Sequence, residues 1–433
     1  MAENQNVPSL ADAFRVWLKI GLLSFGGPAA QISLMHRMVV DEKKWLSESQ
    51  FLNALSFCML LPGPEAMQLA TYAGWRLHGV VGGLVAGLLF VVPGALVVLA
   101  LAVIYGTFGN VPFVETVFFG IKATVVIIVI EALLRVSKKA LSGVEHWIVA
   151  GAAFVAIFFL ALPYPLIVLL AALYGFVRMP ISTPTEIEQP VRPQFGHTLK
   201  TVVLWSSIWL LPLVGLTALM GQGHILSDLG WFFSKLAVVT FGGAYAVLAY
   251  MGQDVVVAHG WLNAGQMMDG LGLAETTPGP LILVTEFVGY LATYQSSETP
   301  NIALGVMGAG VALWATFAPC FMWIFAGAPY IEWINNQPRL KGALSGITAA
   351  VVGVILNLSI WFALHVFFKD VSLVEQGIWH VWTPDVSTLD LNVLLLAIVS
   401  GVLLLRFHWN IPGVLAIAAA LALVLDAIEL TAM

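Results

Sequence analysis

The chain has 433 residues, 60% of them hydrophobic and only 10% charged, with a mean hydropathy of +0.93 and a formal net charge of −6. Soluble domains carry about 25% charged residues, so this chain cannot cover a water-facing surface. A soluble enzyme and a nucleic-acid-binding domain are both excluded, and a polytopic α-helical membrane protein is expected. No alternating pattern of the kind that builds a membrane β-barrel is present.

In chain order, Met1 to Asp12 is polar without a basic cluster, which argues against a cleaved signal peptide. An apolar segment over residues 10–40 is interrupted at Gly26-Gly27-Pro28. After a polar link, residues 50–77 form a second apolar segment, interrupted at Pro62-Gly63-Pro64. Two plain stretches, 80–105 and 113–134, approach the roughly 20 residues needed to cross a bilayer. Residues 147–176 are broken at Pro163-Tyr164-Pro165. A charged, Pro-rich stretch, 179–198, then reads as a cytoplasmic linker, followed by an unrepeated connecting helix at 199–220. Cys58 and Cys320 both sit in apolar segments and read as packed thiols rather than a disulfide.

The rest of the chain repeats the beginning. Lys19, Phe25, Gly26, Gly27, Trp45, Leu46, Pro62, Gly63 and Pro64 meet the same residue types 216 positions later, at Lys235, Phe241, Gly242, Gly243, Trp261, Leu262, Pro278, Gly279 and Pro280. Pro93 pairs with Pro319 and Gly120 with Gly346 at a spacing ten residues longer. Pro165 pairs with Pro412 at a longer spacing still, which places insertions near residues 294–301 and 366–388. Residues 1–178 are therefore one repeat and 221–433 a second.

Charge placement suggests how the repeats sit. Lys43, Lys44, Arg76, Lys139 and Arg178 flank first-repeat segments, whereas residues 106–112 carry no Lys or Arg. Basic flanks mark the cytoplasmic side. With Lys43, Lys44 and Arg76 on one side, the segment between them is a hairpin bending at Pro62-Gly63-Pro64. In the second repeat the pattern reverses: residues 252–260 lack Lys and Arg, while Arg339 and Lys341 lie between the plain spans. The expected fold is all-α and polytopic, with two inverted-topology repeats of broken helices and hairpins and a cytoplasmic N-terminus. A competing count, one crossing per broken segment, leaves Lys43 and Lys44 outside.

The broken motifs are the first candidates for chemistry. Helix breaks free backbone groups from helical bonding, which membranes tolerate only inside protein or along a wet cavity, and a restarting helix presents N–H groups suited to an anion. The alternative is a packing kink. Lys19 and Lys235 fall in apolar stretches six residues before the Phe of each F-G-G motif. They either feed an interior path for a doubly charged anion or snorkel to the interface. Ser24 and Thr240, at matching positions, would add hydroxyls. Acids present in one repeat only, Glu65, Glu275, Asp269 and Glu286, are candidates for ion coupling, although Glu65 also suits an ordinary helix first turn. Lys122 is either a second pathway cation or a partner to an acid. No H-E-x-x-H, G-x-S-x-G, Walker A loop or metal-spaced Cys/His pair occurs, and no cofactor is expected.

F-G-G-P at 25–28, L-P-G-P-E-A-M-Q-L-A-T-Y-A-G at 61–74, V-V-T-F-G-G-A-Y-A-V-L at 238–248 and A-E-T-T-P-G-P-L at 274–281 resemble the chromate ion transporter family, long-chain two-domain type, over essentially the whole chain. The resemblance implies a multi-pass bacterial inner-membrane protein that moves chromate, usually outward, with sulfate as the mimic. Positions that match its motifs are Phe25, Gly26, Gly27, Pro28, Pro62, Gly63, Pro64, Glu65, Gln68, Phe241, Gly242, Gly243, Pro278, Gly279 and Pro280, with Thr277 just before the last three. Ala244 departs from the pattern, standing where the first repeat has Pro28. The reading is a secondary transporter exporting chromate by alternating access, driven by membrane potential, a proton gradient or both. Its rivals are uptake or exchange of sulfate or another oxyanion, and an intramembrane enzyme using Glu65 or Glu275, for which no nucleophile–base pair is present. A homodimer is left open.

Overall fold

The computed structural model describes residues 8–25, 27–109, 111–179, 195–241, 244–335 and 337–432. Gly26, Gly242, Gly243 and nearly all of the expected linker lie outside the described residues. The first helices are α1 (Leu10–Leu23), α2 (Gly27–His36), α3 (Glu48–Cys58), α4 (Glu65–Phe108) and α5 (Pro112–Ala140). They are followed by α6 (Val144–Phe158), α7 (Tyr164–Arg178), α8 (Phe195–Met220), α9 (Ile225–Val239), α10 (Ala244–Gln253) and α11 (Ala264–Thr276). The chain ends with α12 (Val284–Tyr294), α13 (Ile302–Gly327), α14 (Ile331–Asn335), α15 (Pro338–Phe367), α16 (Leu391–Gly401) and α17 (Ile411–Ala432). Among the described residues, six helices are long and apolar enough to cross a membrane: Glu65–Phe108, Pro112–Ala140, Thr198–Met220, Ile302–Tyr330, Pro338–Phe367 and Ile411–Ile428. The protein is an all-α, polytopic membrane protein.

α4 is two helices. His78 and Gly79 leave the helical region, and Gly74 lies against Gly82 across the turn, so residues 65–77 fold back on the span that follows. That span and α13 each carry their proline, Pro93 and Pro319, inside the helix.

The repeat is carried in backbone hydrogen bonds as well as residue types. Ser47 caps α3 reciprocally with Gln50; at the matching positions Asn263 and Gln266 make the same two bonds before α11, at 2.8 and 3.0 Å. Such boxes satisfy two donors that a helix start leaves open. Trp45 N–H donates to Val39 O and Trp261 N–H to Val255 O, again at corresponding positions. Both links follow a π-helical turn, Arg37–Glu42 and Asp254–Ala258.

Two compact units form, and neither coincides with a repeat. Unit 1 comprises Met1–Leu101, Pro180–Ala244 and Thr277–Lys341; unit 2 comprises Ala102–Met179, Tyr245–Thr276 and Gly342–Met433. Each unit therefore draws on both repeats. In unit 1, α13 packs on α12, α9 and α8. In unit 2 the repeats exchange partners. A Cβ on Gly120 of α5 would run into Ala418 O of α17, and one on Gly346 of α15 into Ala171 O of α7. Gly120 and Gly346 are equivalent, and so are Ala171 and Ala418, so the contact is reciprocal between the repeats. Glycine is needed at both places because the helix backbones touch, as at small-residue crossings in membranes.

One feature departs from the all-helical expectation. The insertion at residues 366–388 holds an antiparallel hairpin, β1 (Val371–Gln376) and β2 (Trp379–Pro384), turned at Gly377, whose φ is +65°. Its edge closes on unit 2, where His380 N–H donates to Phe159 O at 2.8 Å and Trp382 packs edge-on to Trp361 and His365. Sequence pattern hid it: Ser372–Gln376 mixes polar with aliphatic residues and Trp379–Thr383 polar with aromatic ones, and neither strand has a fully buried face.

Candidate functional site

Four helix breaks lie in unit 1: after α1 at Ser24 and Phe25, between α3 and α4 at Met59 to Pro64, after α9 at Thr240 and Phe241, and before α12 at Thr277 to Pro280. Their backbones cross. Gly63 N–H donates to Thr240 O at 2.9 Å, and Gly279 N–H donates to Ser24 O at 2.8 Å. Gly63 corresponds to Gly279 and Ser24 to Thr240, so each repeat's Pro-Gly-Pro break bonds the other repeat's F-G-G break. Unit 1, like unit 2, thus joins the repeats by reciprocal contacts.

The local chemistry explains the crossing. Ser24 and Thr240 are the C-terminal caps of α1 and α9, where helical carbonyls lack partners. Gly63 and Gly279 have φ of +115° and +91°, a region open to glycine at little cost, and this conformation turns each N–H away from its own chain. The crossing therefore covers two of the carbonyls at the negative ends of α1 and α9. Beyond it the chain restarts as α4 directly and as α12 through a 3-10 turn at Leu281–Leu283, whose Leu283 N–H already donates to Pro280 O, and each restart carries a partial positive charge at its N-terminal end.

First-repeat glutamines brace the crossing. Gln31 of α2 donates through Nε2 to Gly279 O at 2.7 Å, and Gln68 of α4 donates to Pro62 O at 2.7 Å. Both side chains are buried, and their second-repeat counterparts are Val247 and Val284. A cavity of about 10 Å³ touches Gly63, Pro64, Leu236, Thr240, Ile282 and Thr316. That is the scale of one water, so a tetrahedral oxyanion enters there only if the breaks separate.

Among the residues expected from sequence, Ser24, Pro62, Gly63, Pro64, Gln68, Thr240, Thr277, Pro278, Gly279 and Pro280 are buried together in unit 1. The Ser24 and Thr240 hydroxyls each donate to the carbonyl four residues back, which leaves their oxygens as acceptors. Gly27 is buried and Glu65 half-buried, whereas Phe25 is exposed and Phe241 partly so. Lys19 and Lys235 are exposed, one turn before the ends of α1 and α9 and off the faces those helices bury. The lysines flank the breaks but do not enter the buried crossing.

Unit 2 holds the acids of α11. Asp269 takes the Tyr105 hydroxyl at 2.7 Å and the Lys122 ammonium at 3.3 Å, so Lys122 is the partner of an acid. Glu275 accepts from the Tyr245 hydroxyl at 2.8 Å, and an Arg135–Glu131 pair, 2.9 Å apart on α5, acts on it electrostatically. A wide cleft of about 850 Å³ in the same unit sets Glu115, Asp390 and Asp426 against the single base Lys369. Three acids to one base repel an anion, so this cleft is not an oxyanion site.

Sequence reasoning missed Gln31, Tyr105 and Tyr245. Gln31 left a signal, a polar residue in an apolar stretch just past a break. The tyrosines left none, because their partners lie far along the chain.

The chain matches the family model described as "Chromate transporter" over residues 11–176 and 227–424. It is 30% identical over 413 residues to a chromate transport protein of Cupriavidus metallidurans, covering 94% of this chain and 91% of that protein. A chromate transport protein of Pseudomonas aeruginosa is 33% identical over 362 residues, covering 80% and 79%. A probable chromate transport protein of Synechococcus elongatus is 31% identical over 349 residues, covering 80% and 83%. No solved structure matches the chain.

Proposed function

Because the chain belongs to the chromate transporter family, we propose that it exports chromate across the bacterial inner membrane by alternating access at the crossed breaks of unit 1. One observation carries the reading: the reciprocal bonds Gly63–Thr240 and Gly279–Ser24, which gather four helix interruptions at one buried point. Interrupted helices meeting at a repeat interface are how secondary transporters build substrate sites. The crossing occupies the carbonyls at the ends of α1 and α9 and leaves the N-termini of α4 and α12 for a dianion. Lys19 and Lys235, exposed beside the breaks, supply positive charge along the approach, and the water-sized cavity is the closed state of the site.

Voltage supports the outward direction. Moving one charge through 100 mV is worth roughly 2.3 kcal/mol, so a dianion leaving a cell that is negative inside gains about twice that. The test is uptake of labelled chromate into inside-out membrane vesicles at clamped potential, with sulfate as competitor. Voltage-dependent accumulation supports the proposal. Uptake only into right-side-out vesicles would reverse the direction, and preference for sulfate would reassign the substrate.

A further inference from the structure

Asp269 does a job that the oxyanion site does not explain. It lies on α11 in unit 2, with its side chain 3% exposed. One carboxyl oxygen, Oδ2, holds both the Tyr105 hydroxyl and the Lys122 ammonium. The other, Oδ1, is buried and without a hydrogen-bond partner among the described residues. Among the described residues, α11 packs on α5 and α17, and it is also met by α10 through Tyr245–Glu275 and by the end of α4 through Tyr105. α5 presents Lys122, the end of α4 presents Tyr105, and α17 contributes no charge to Asp269. Glu115, at the start of α5, acts on Tyr105 rather than on Asp269.

A buried carboxylate with one oxygen that no protein donor meets is costly to keep ionised. A proton on Oδ1 removes that charge while Tyr105 still donates to Oδ2. Lys122 loses its counter-charge in the same step, but its side chain is 30% exposed and can be hydrated where it stands. The cluster thus has two self-consistent states, an ion pair and a neutral acid beside a solvated lysine. The equivalent first-repeat position is Asn53, which does not ionise. α11 runs without interruption from Asp269 to Thr276 and so leads straight into the Thr277 to Pro280 break.

We propose that Asp269, held by Lys122 and Tyr105, is a proton-binding site whose occupancy is coupled to the movement of the oxyanion. The proposal rests on the transport reading above. Proton binding adds H⁺ to Oδ1 and breaks the Lys122–Asp269 ion pair; release restores it, with no other bond changed.

The experiment uses the full-length protein in liposomes at a clamped potential, with labelled chromate and a pH-sensitive dye inside. Wild type, Asp269→Asn, Asp269→Glu and Lys122→Gln are compared. Protonation of chromate itself is common to all variants and cancels. In wild type, chromate movement carries protons and an imposed pH gradient alters its rate. Asp269→Asn keeps voltage-driven chromate flux but loses both the proton signal and the response to the pH gradient. Asp269→Glu restores them, and Lys122→Gln moves the pH at which flux is half-maximal. A merely structural role would lower flux at every pH without that shift. Wild-type proton movement persisting in Asp269→Asn overturns the proposal, as does a sodium dependence in place of the proton dependence. If chromate moves in wild type without protons, this inference falls and the transport reading stands; if no vesicle moves chromate, both fall. Where Asp269→Asn does not elute as folded protein, the Glu and Gln variants decide by the same two readouts.

Discussion

Gly63 and Gly279 each bear two demands at once. Their φ angles are left-handed, and a Cβ on Gly63 would lie 2.9 Å from Cys320 Sγ and 3.0 Å from Gln68 Nε2. One on Gly279 would lie 2.9 Å from Leu283 Cδ1. Gly63→Ala and Gly279→Ala are each expected to lose about 1–3 kcal/mol of stability, read as a lower melting temperature in detergent, together with chromate flux in vesicles. Gln31→Leu leaves Gly279 O without its 2.7 Å donor, and a buried carbonyl stripped of its bond costs about 1–3 kcal/mol. Its melting temperature should fall toward that of Gly279→Ala. Lys19→Gln and Lys235→Gln are surface changes with little effect on folding; if the lysines feed the anion, their vesicles need more chromate for half-maximal flux. Unchanged half-saturation in the double variant would remove both from the path.

Among the elements, the pairs α5–α17 and α15–α7 make the same backbone contact with repeats exchanged. Gly120→Val and Gly346→Val each push a branched side chain into a facing carbonyl, with no flexible atom to yield. Both should cut the yield of monodisperse protein in size-exclusion chromatography, and by similar amounts. A tolerant Gly120 beside an intolerant Gly346 would contradict the equivalence. The capping boxes allow a milder comparison. Gln50→Ala and Gln266→Ala each remove one reciprocal bond at a helix start, worth at most the 0.5–2 kcal/mol of a whole N-cap, that is about 1 kcal/mol or less.

For the molecule as a whole, the proposal that the two repeats are inverted predicts that the link before α3 and the link before α11 face opposite sides of the membrane. Lys44→Cys and Asn263→Cys report this directly, because the native thiols Cys58 and Cys320 are both fully buried. A membrane-impermeant maleimide applied to intact cells should label Asn263→Cys and spare Lys44→Cys. Labelling of both from one side would rule inversion out.

Composition alone made this a membrane protein, because a chain with 10% charged residues has no means to solvate a globular surface. Register alone exposed the duplication, and the doubled Gly-Gly and Pro-Gly-Pro motifs marked where helices stop, since glycine and proline act locally. What remained illegible were the partnerships. That Gly63 donates to Thr240, that Gln31 braces the opposite repeat, and that Lys122 and Tyr105 meet on one oxygen of Asp269 depend on segments more than a hundred residues apart. The exposure of Lys19 and Lys235 belongs with these, because a helix's buried face is chosen by its neighbours and not by the spacing of its own lysine. Local propensity determined the breaks; only packing, which must pair every buried backbone group the breaks release, decided what each of them touches.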